Sequence, residues 1–218
     1  MPDHRNARGI AATAAALLAA LALVTSLAAC STASAPAGTK STSQLNGTGS
    51  ASVLPSPYPT EVSPAGDVPD NQVYVTYNSR AGSFSLKVPE GWAEATSGAV
   101  TSFTDKLNSV AVEQASVAAA PSIDSAKQNL VPALEASQPK FTLTDVKDFT
   151  RPSESGVVIT FLKDSPPSTV TGSVVRDAVE MYLFWKNGQQ ASVTLTSPQG
   201  ADNVDPWNVV TKSFAWLK

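Results

Sequence analysis

Cys30 carries the only thiol in the 218-residue chain and His4 the only imidazole, and both fall within the first thirty residues. Nucleophilic serine or cysteine chemistry draws on a nearby general base, most often histidine. Beyond residue 30 there is neither histidine nor cysteine, which removes that base and the usual ligands of a zinc site. No Gly-x-Ser-x-Gly elbow, Gly-x-x-x-x-Gly-Lys loop or Gly-x-Gly-x-x-Gly turn occurs. A Ser–Lys dyad has candidate amines in Lys87, Lys163, Lys186 and Lys212, but no spacing brings a serine to any of them. Asp145 and Asp148 lie on either side of Lys147, Asp164 follows Lys163, and Asp202, Asn203 and Asp205 follow Gly200. The last group is only a fragment of a calcium loop, and a helix cap accounts for Asp205. No catalytic residue, metal or cofactor is expected.

The chemistry of Cys30 is set by what precedes it. Arg5 and Arg8 form a basic start, and residues 10–24 are Ala, Leu, Val and Ile interrupted only by Thr13. That apolar run has the length of an export signal and falls short of the ~20 residues a spanning helix needs. Small residues then lead to Leu27-Ala28-Ala29-Cys30. This tetrapeptide resembles the processing site of bacterial lipoprotein signal peptides. The resemblance implies cleavage before Cys30, a diacylglyceryl thioether on its sulfur, and a further acyl chain such as palmitate on the new amine. Burial contributes roughly 0.8 kcal/mol per CH₂, so two or three chains anchor a protein where one is marginal. The expected address is the outer face of the cell membrane, held by lipid.

Removal of residues 1–29 leaves 13 basic and 17 acidic side chains, a net charge of −4. An acidic body gives no electrostatic case for nucleic acid, and no Lys/Arg cluster near the anchor adds attraction to lipid headgroups. Between residues 31 and 70, twenty-eight of forty positions are Ser, Thr, Ala, Pro or Gly. Such a composition buries too little apolar surface to offset chain entropy. The organisation expected is therefore a signal peptide over 1–29, a lipid-anchored tether over 30–70, and one domain over 71–218.

Within that domain, strand patterns cover 73–77, 83–88, 99–105, 109–117, 141–149, 156–162, 174–186 and 190–196. Asn187-Gly188 predicts a tight type I′ hairpin between the last two. Ile123, Ala126, Leu130, Ala133 and Leu134 recur at helical spacing after Ser122, with Pro132 expected to kink or break that helix. A closing helix is expected with Asp205 as cap, Pro206 first, and Trp207, Val210, Phe214 and Leu217 on one stripe. Four strands, a helix, four strands and a helix predict an α+β fold, a twisted antiparallel sheet covered by two main helices.

Gly82-Ser83-Phe84-Ser85-Leu86-Lys87-Val88-Pro89-Glu90-Gly91-Trp92, together with Ser213-Phe214 near the end, resembles the Mog1/PsbP-like superfamily and, within it, actinobacterial Lpq-type lipoproteins. The likeness implies the same fold and a binding or accessory role, with no shared catalytic apparatus. Alanine-rich, lysine-poor usage suits an actinobacterial source. On the strand over 174–186, Val175, Val179, Met181, Leu183 and Trp185 share one face, and Arg176, Glu180, Tyr182 and Phe184 the other. The second face suits either packing under another layer or a partly exposed recognition surface. Trp92 is likewise a core plug or a stacking platform. The expected function is non-catalytic binding of an envelope protein or a small apolar ligand. A Ser–Lys or carboxylate hydrolase is the alternative, and a transport substrate-binding lipoprotein a third reading.

Overall fold

Alternation in 83–88 puts Phe84, Leu86 and Val88 on one face, and the computed structural model, which describes residues 65–218 except Ser153, buries all three. The elements run β1 (Tyr74–Asn78), β2 (Phe84–Pro89), β3 (Ala93–Ser97), β4 (Val100–Asp105), β5 (Asn108–Ser116), α1 (Ile123–Ser125) and a π-helical turn (Ala126–Leu130). They continue with α2 (Val131–Ser137), β6 (Thr142–Thr150), β7 (Ser155–Asp164), β8 (Arg176–Lys186), β9 (Gln189–Pro198), α3 (Val204–Lys212) and β10 (Ala215–Trp216). Seven strands form one antiparallel sheet in the order β3-β4-β5-β9-β8-β7-β6, and β1-β2-β10 form a smaller one. The class is α+β, with antiparallel sheets and two main helical segments.

The large sheet is apolar on both faces because it is covered on both. On one side Phe103, Val110, Val112, Phe149, Val158, Tyr182, Phe184, Val193 and Leu195 meet β2, α3 and the residue before β10 through Phe84, Leu86, Val88, Trp207, Val210 and Phe214. On the other, Val146, Val157, Ile159, Phe161, Val179 and Leu183 lie under Ala126, Ile123, Leu130 and Leu134 of the first helical segment. Three consecutive buried residues in β7, Val157, Val158 and Ile159, record this double coverage. Gly156 fits the same crowding: a Cβ there would collide with the Leu183 carbonyl oxygen, and the Phe149 ring lies beside the space it leaves.

One strand carried no sequence signal, and several expectations need correction. The strand β3 has no apolar alternation, since all five of its residues are exposed; its pairing with β4 alone makes it a strand. The closing helix stops at Lys212, because the Ser213 hydroxyl donates to the Val210 carbonyl and accepts from the Lys87 amide. The chain then extends as β10 along β2, so Phe214 is buried from outside the helix and Leu217 is 41% exposed. Asn203, not Asp205, precedes α3, and Pro206 is its third residue. The interruption expected at Pro132 takes the form of a widened turn just before it: the π-helical turn Ala126–Leu130 separates α1 from α2, Val131 donates to the Ala126 carbonyl five residues back, and Pro132 stands in the first turn of α2. Finally, the domain starts before residue 71. The Asn203 amide accepts from Val68 N at 2.8 Å and donates to the Gly66 carbonyl at 2.8 Å, and Val68 is buried. The signal peptide, the Leu27–Cys30 site and residues 30–64 of the tether lie outside the described residues.

Asn187 and Gly188 both adopt positive φ, at 49° and 81°, and close the expected two-residue turn. At the other end of β8, Asp177 is buried, and that burial raises its carboxyl pKa; Asp164 adds to the rise while Lys163 and Arg176 oppose it. A raised pKa means that the folded state disfavours the ionised form, so stability falls as pH rises through the folded value. Asp177→Asn should therefore melt higher than the parent at pH 7. The gain should close as pH falls to the ordinary Asp range near about 4. Melting curves at the two pH values check this, and a variant that loses stability at pH 7 would refute it.

Candidate functional site

Glu180 and Tyr182 alternate on β8 and point to the face that α3 partly covers. Their cross-strand partners are Thr160 and Val158 on β7, and Lys147 pairs with Val158 from β6. These residues, with Phe149, Arg151 and the α3 residues Val204, Trp207 and Asn208, line a cleft of about 280 Å³ between sheet and helix. Its aromatic floor is tightly packed. The Phe149 and Tyr182 ring centroids are 5.0 Å apart, edge to face, and Phe149 meets Phe184 in the same way.

A polar chain crosses this floor. Arg151 donates from Nε to the Thr211 hydroxyl and from Nη2 to the Tyr182 hydroxyl, each at 3.0 Å. Tyr182 donates in turn to Glu180 Oε2 at 2.7 Å. The guanidinium also lies 5.1 Å from the Tyr182 ring centroid and 5.7 Å from that of Phe149. Burial, reinforced by the hydrogen bond to Glu180 and its charge, pushes the Tyr182 phenol well above its ordinary range; Arg151 opposes the shift. Tyr182 therefore stays protonated at neutral pH. It relays between a cation and a carboxylate and offers neither a base nor a phenolate nucleophile.

The residues read as one recognition face divide. Glu180 and Tyr182 line the cleft, but Phe184 is fully buried, its ring stacked on Phe214 at 3.8 Å and 10°. Phe184 is core, not surface, because the small sheet packs over its end of β8. Arg176 is engaged elsewhere. It pairs with Asp164 at 3.1 Å and donates to the Lys140 carbonyl and the Thr142 hydroxyl, tying β8 to β7 and to the start of β6. Four residues of extended strand, roughly 13 Å, separate it from Glu180, so the two charges do not pair. Trp92 is half-buried against the main core, edge-on to Trp207 at 6.4 Å, which is the plug arrangement.

Arg151, Lys147 and Phe149 escaped the sequence reading. Arg151 follows the last residue of β6, and a single arginine before a proline carries no periodic signal. Lys147 read only as one charge among acids, and it does pair with Asp145 at 3.5 Å. Trp207 was visible only as core.

A second concavity of about 390 Å³ lies at the hairpin end, beside Tyr77, Arg80, Glu113, Gln114 and Gln189. Its amides and hydroxyls satisfy one another. Ser83 donates to Gln114, Gln114 to Gln189, and Gln189 to Ser116, joining β5, β9 and the residue before β2. Among the described residues no three His, Cys, Asp or Glu side chains converge as metal ligands would.

No family model matches the chain, and no curated protein matches it. Solved structures similar to it include the Ran-binding protein Mog1p of Saccharomyces cerevisiae, at 7% identity over 66% of this chain and 95% of that one, with a TM-score of 0.46. Cyanobacterial PsbP from Synechocystis is similar at 13% identity over 70% and 98%, TM-score 0.46. LpqN of Mycobacterium tuberculosis, a protein involved in cell envelope biogenesis, is similar at 12% identity over 68% and 93%, TM-score 0.42.

Proposed function

We propose that the chain is a non-catalytic binding protein, attached through lipid on Cys30 to the outer face of a cell membrane, whose domain receives its partner at the cleft under α3. The observation that carries the reading is the preset polar chain Arg151–Tyr182–Glu180 across an aromatic floor. A concave, partly apolar site with a few fixed polar groups is the ordinary form of a recognition site. Its one titratable relay, Tyr182, is held in the protonated state, which suits hydrogen bonding and not proton abstraction. The alternative is a hydrolase using a Ser–Lys or carboxylate mechanism. The partner is a small molecule with an apolar part or a segment of another envelope protein.

A photoreactive residue at Val204, which lines the cleft and is 65% exposed, tests this in cells. Crosslinking at Val204 should trap a discrete species that the same group at Leu107, exposed but outside the cleft, does not. Equal yields from both positions would remove the cleft from the proposal. Turnover of an ester, peptide or glycoside by purified protein, lost in Glu180→Gln, would replace binding with hydrolysis.

A further inference from the structure

We infer that the cleft takes a carboxylate carried on a compact apolar body, held end-on by the Arg151 guanidinium; this rests on the reading of the cleft as a binding site. A guanidinium has five N–H donors in a rigid planar fork. Thr211 and Tyr182 occupy one each on Nε and Nη2, which fixes the plane of the group from one side. The two aromatic rings beside it fix its position from below. Both protons of Nη1 and the second of Nη2 have no acceptor among the described residues, and Arg151 forms no ion pair there. The open end of the fork has the geometry that binds a carboxylate through two parallel hydrogen bonds.

The surrounding charges orient such a ligand. Lys147 shares a sheet row with Tyr182, through Val158, and lines the same cleft, its ammonium paired with Asp145 at 3.5 Å. Glu180 stands two residues along β8, with its Oε2 already taken by Tyr182. An anion is therefore favoured at one end of the cleft and repelled from the other. Trp207 and Phe149 supply the apolar walls between. A volume of about 280 Å³ accommodates a single ring with its carboxylate but no long chain.

Benzoate and its neutral isostere benzamide are suitable probes, with the full chain kept in nonionic detergent micelles. Titration followed by amide NMR should show benzoate shifting the signals of Val204, Trp207 and Asn208, with benzamide at least about tenfold weaker. Arg151→Lys keeps the charge and loses the fork, so it should weaken benzoate about tenfold or more. Because Arg151 also braces Tyr182, Glu180→Gln serves as a second variant. It removes the repelling charge while keeping an acceptor for the Tyr182 hydroxyl, and should tighten benzoate severalfold while leaving benzamide unchanged. Equal binding of benzoate and benzamide at these signals would overturn the carboxylate assignment while leaving the cleft a binding site. No shift with either probe would overturn the assignment too, and the Val204 crosslink would then decide the cleft separately.

Discussion

Phe214→Ala should lower the stability of the domain by about 3–5 kcal/mol, the usual cost of emptying a buried phenylalanine site. Phe214 is 1% exposed and lies between two sheets. Its ring stacks on Phe184 of the large sheet at 3.8 Å and on Phe84 of the small one at 5.3 Å, with Trp216 edge-on at 5.4 Å. Removing it opens a void that neither sheet can close by itself, since each is held by its own strand ladder. Urea unfolding of the full chain should show the loss, and the melting temperature should fall by roughly 10 °C or more. Leu217→Ala is the matched control. If the closing helix ran on to residue 217, both side chains would share its buried stripe. With the helix ending at Lys212, Leu217→Ala should change stability by less than about 0.5 kcal/mol. Comparable losses from the two variants would contradict the placement of β10.

Cys30→Ala should move the protein almost completely out of the membrane fraction while the domain keeps its melting temperature. The expectation joins two separate lines. The only thiol stands at the exit of an apolar run, and residues 65–218 carry two packed hydrophobic clusters and a seven-stranded ladder. Without the thiol no thioether forms, and no basic cluster near position 30 offers a second means of attachment. Fractionation of cells, followed by melting of the released protein, checks both halves. Retention in the membrane would refute the lipid anchor, and a loss of melting temperature would refute the independence of the domain.

Strands with clean patterns were legible because a covered face forces them. Phe84, Leu86 and Val88 alternate, and Asn187-Gly188 can adopt positive φ at low cost, so β2 and the β8–β9 turn follow from local rules. The stretch Ala93–Ser97 has no such face and became a strand only because β4 pairs with it. The candidate site was half legible. Glu180 and Tyr182 follow from the alternation of β8, but no period connects them with Arg151, thirty-one positions from Tyr182 in the chain.

The sequence by itself determined the chemistry that is possible: one thiol after an apolar run, no histidine beyond residue 30, and an antiparallel α+β pattern. These are local properties, set by residue type and by periods of two and 3.6. Only the tertiary structure decided which face of β8 was core and where a cleft remained. Phe184 and Tyr182 are two residues apart on the same face, yet one is sealed under Phe214 and the other reaches Arg151 beside an open cleft. The difference depends on where the small sheet ends and α3 begins. That boundary arises from β10 pairing with β2 across more than a hundred residues of chain, a contact that no local pattern encodes.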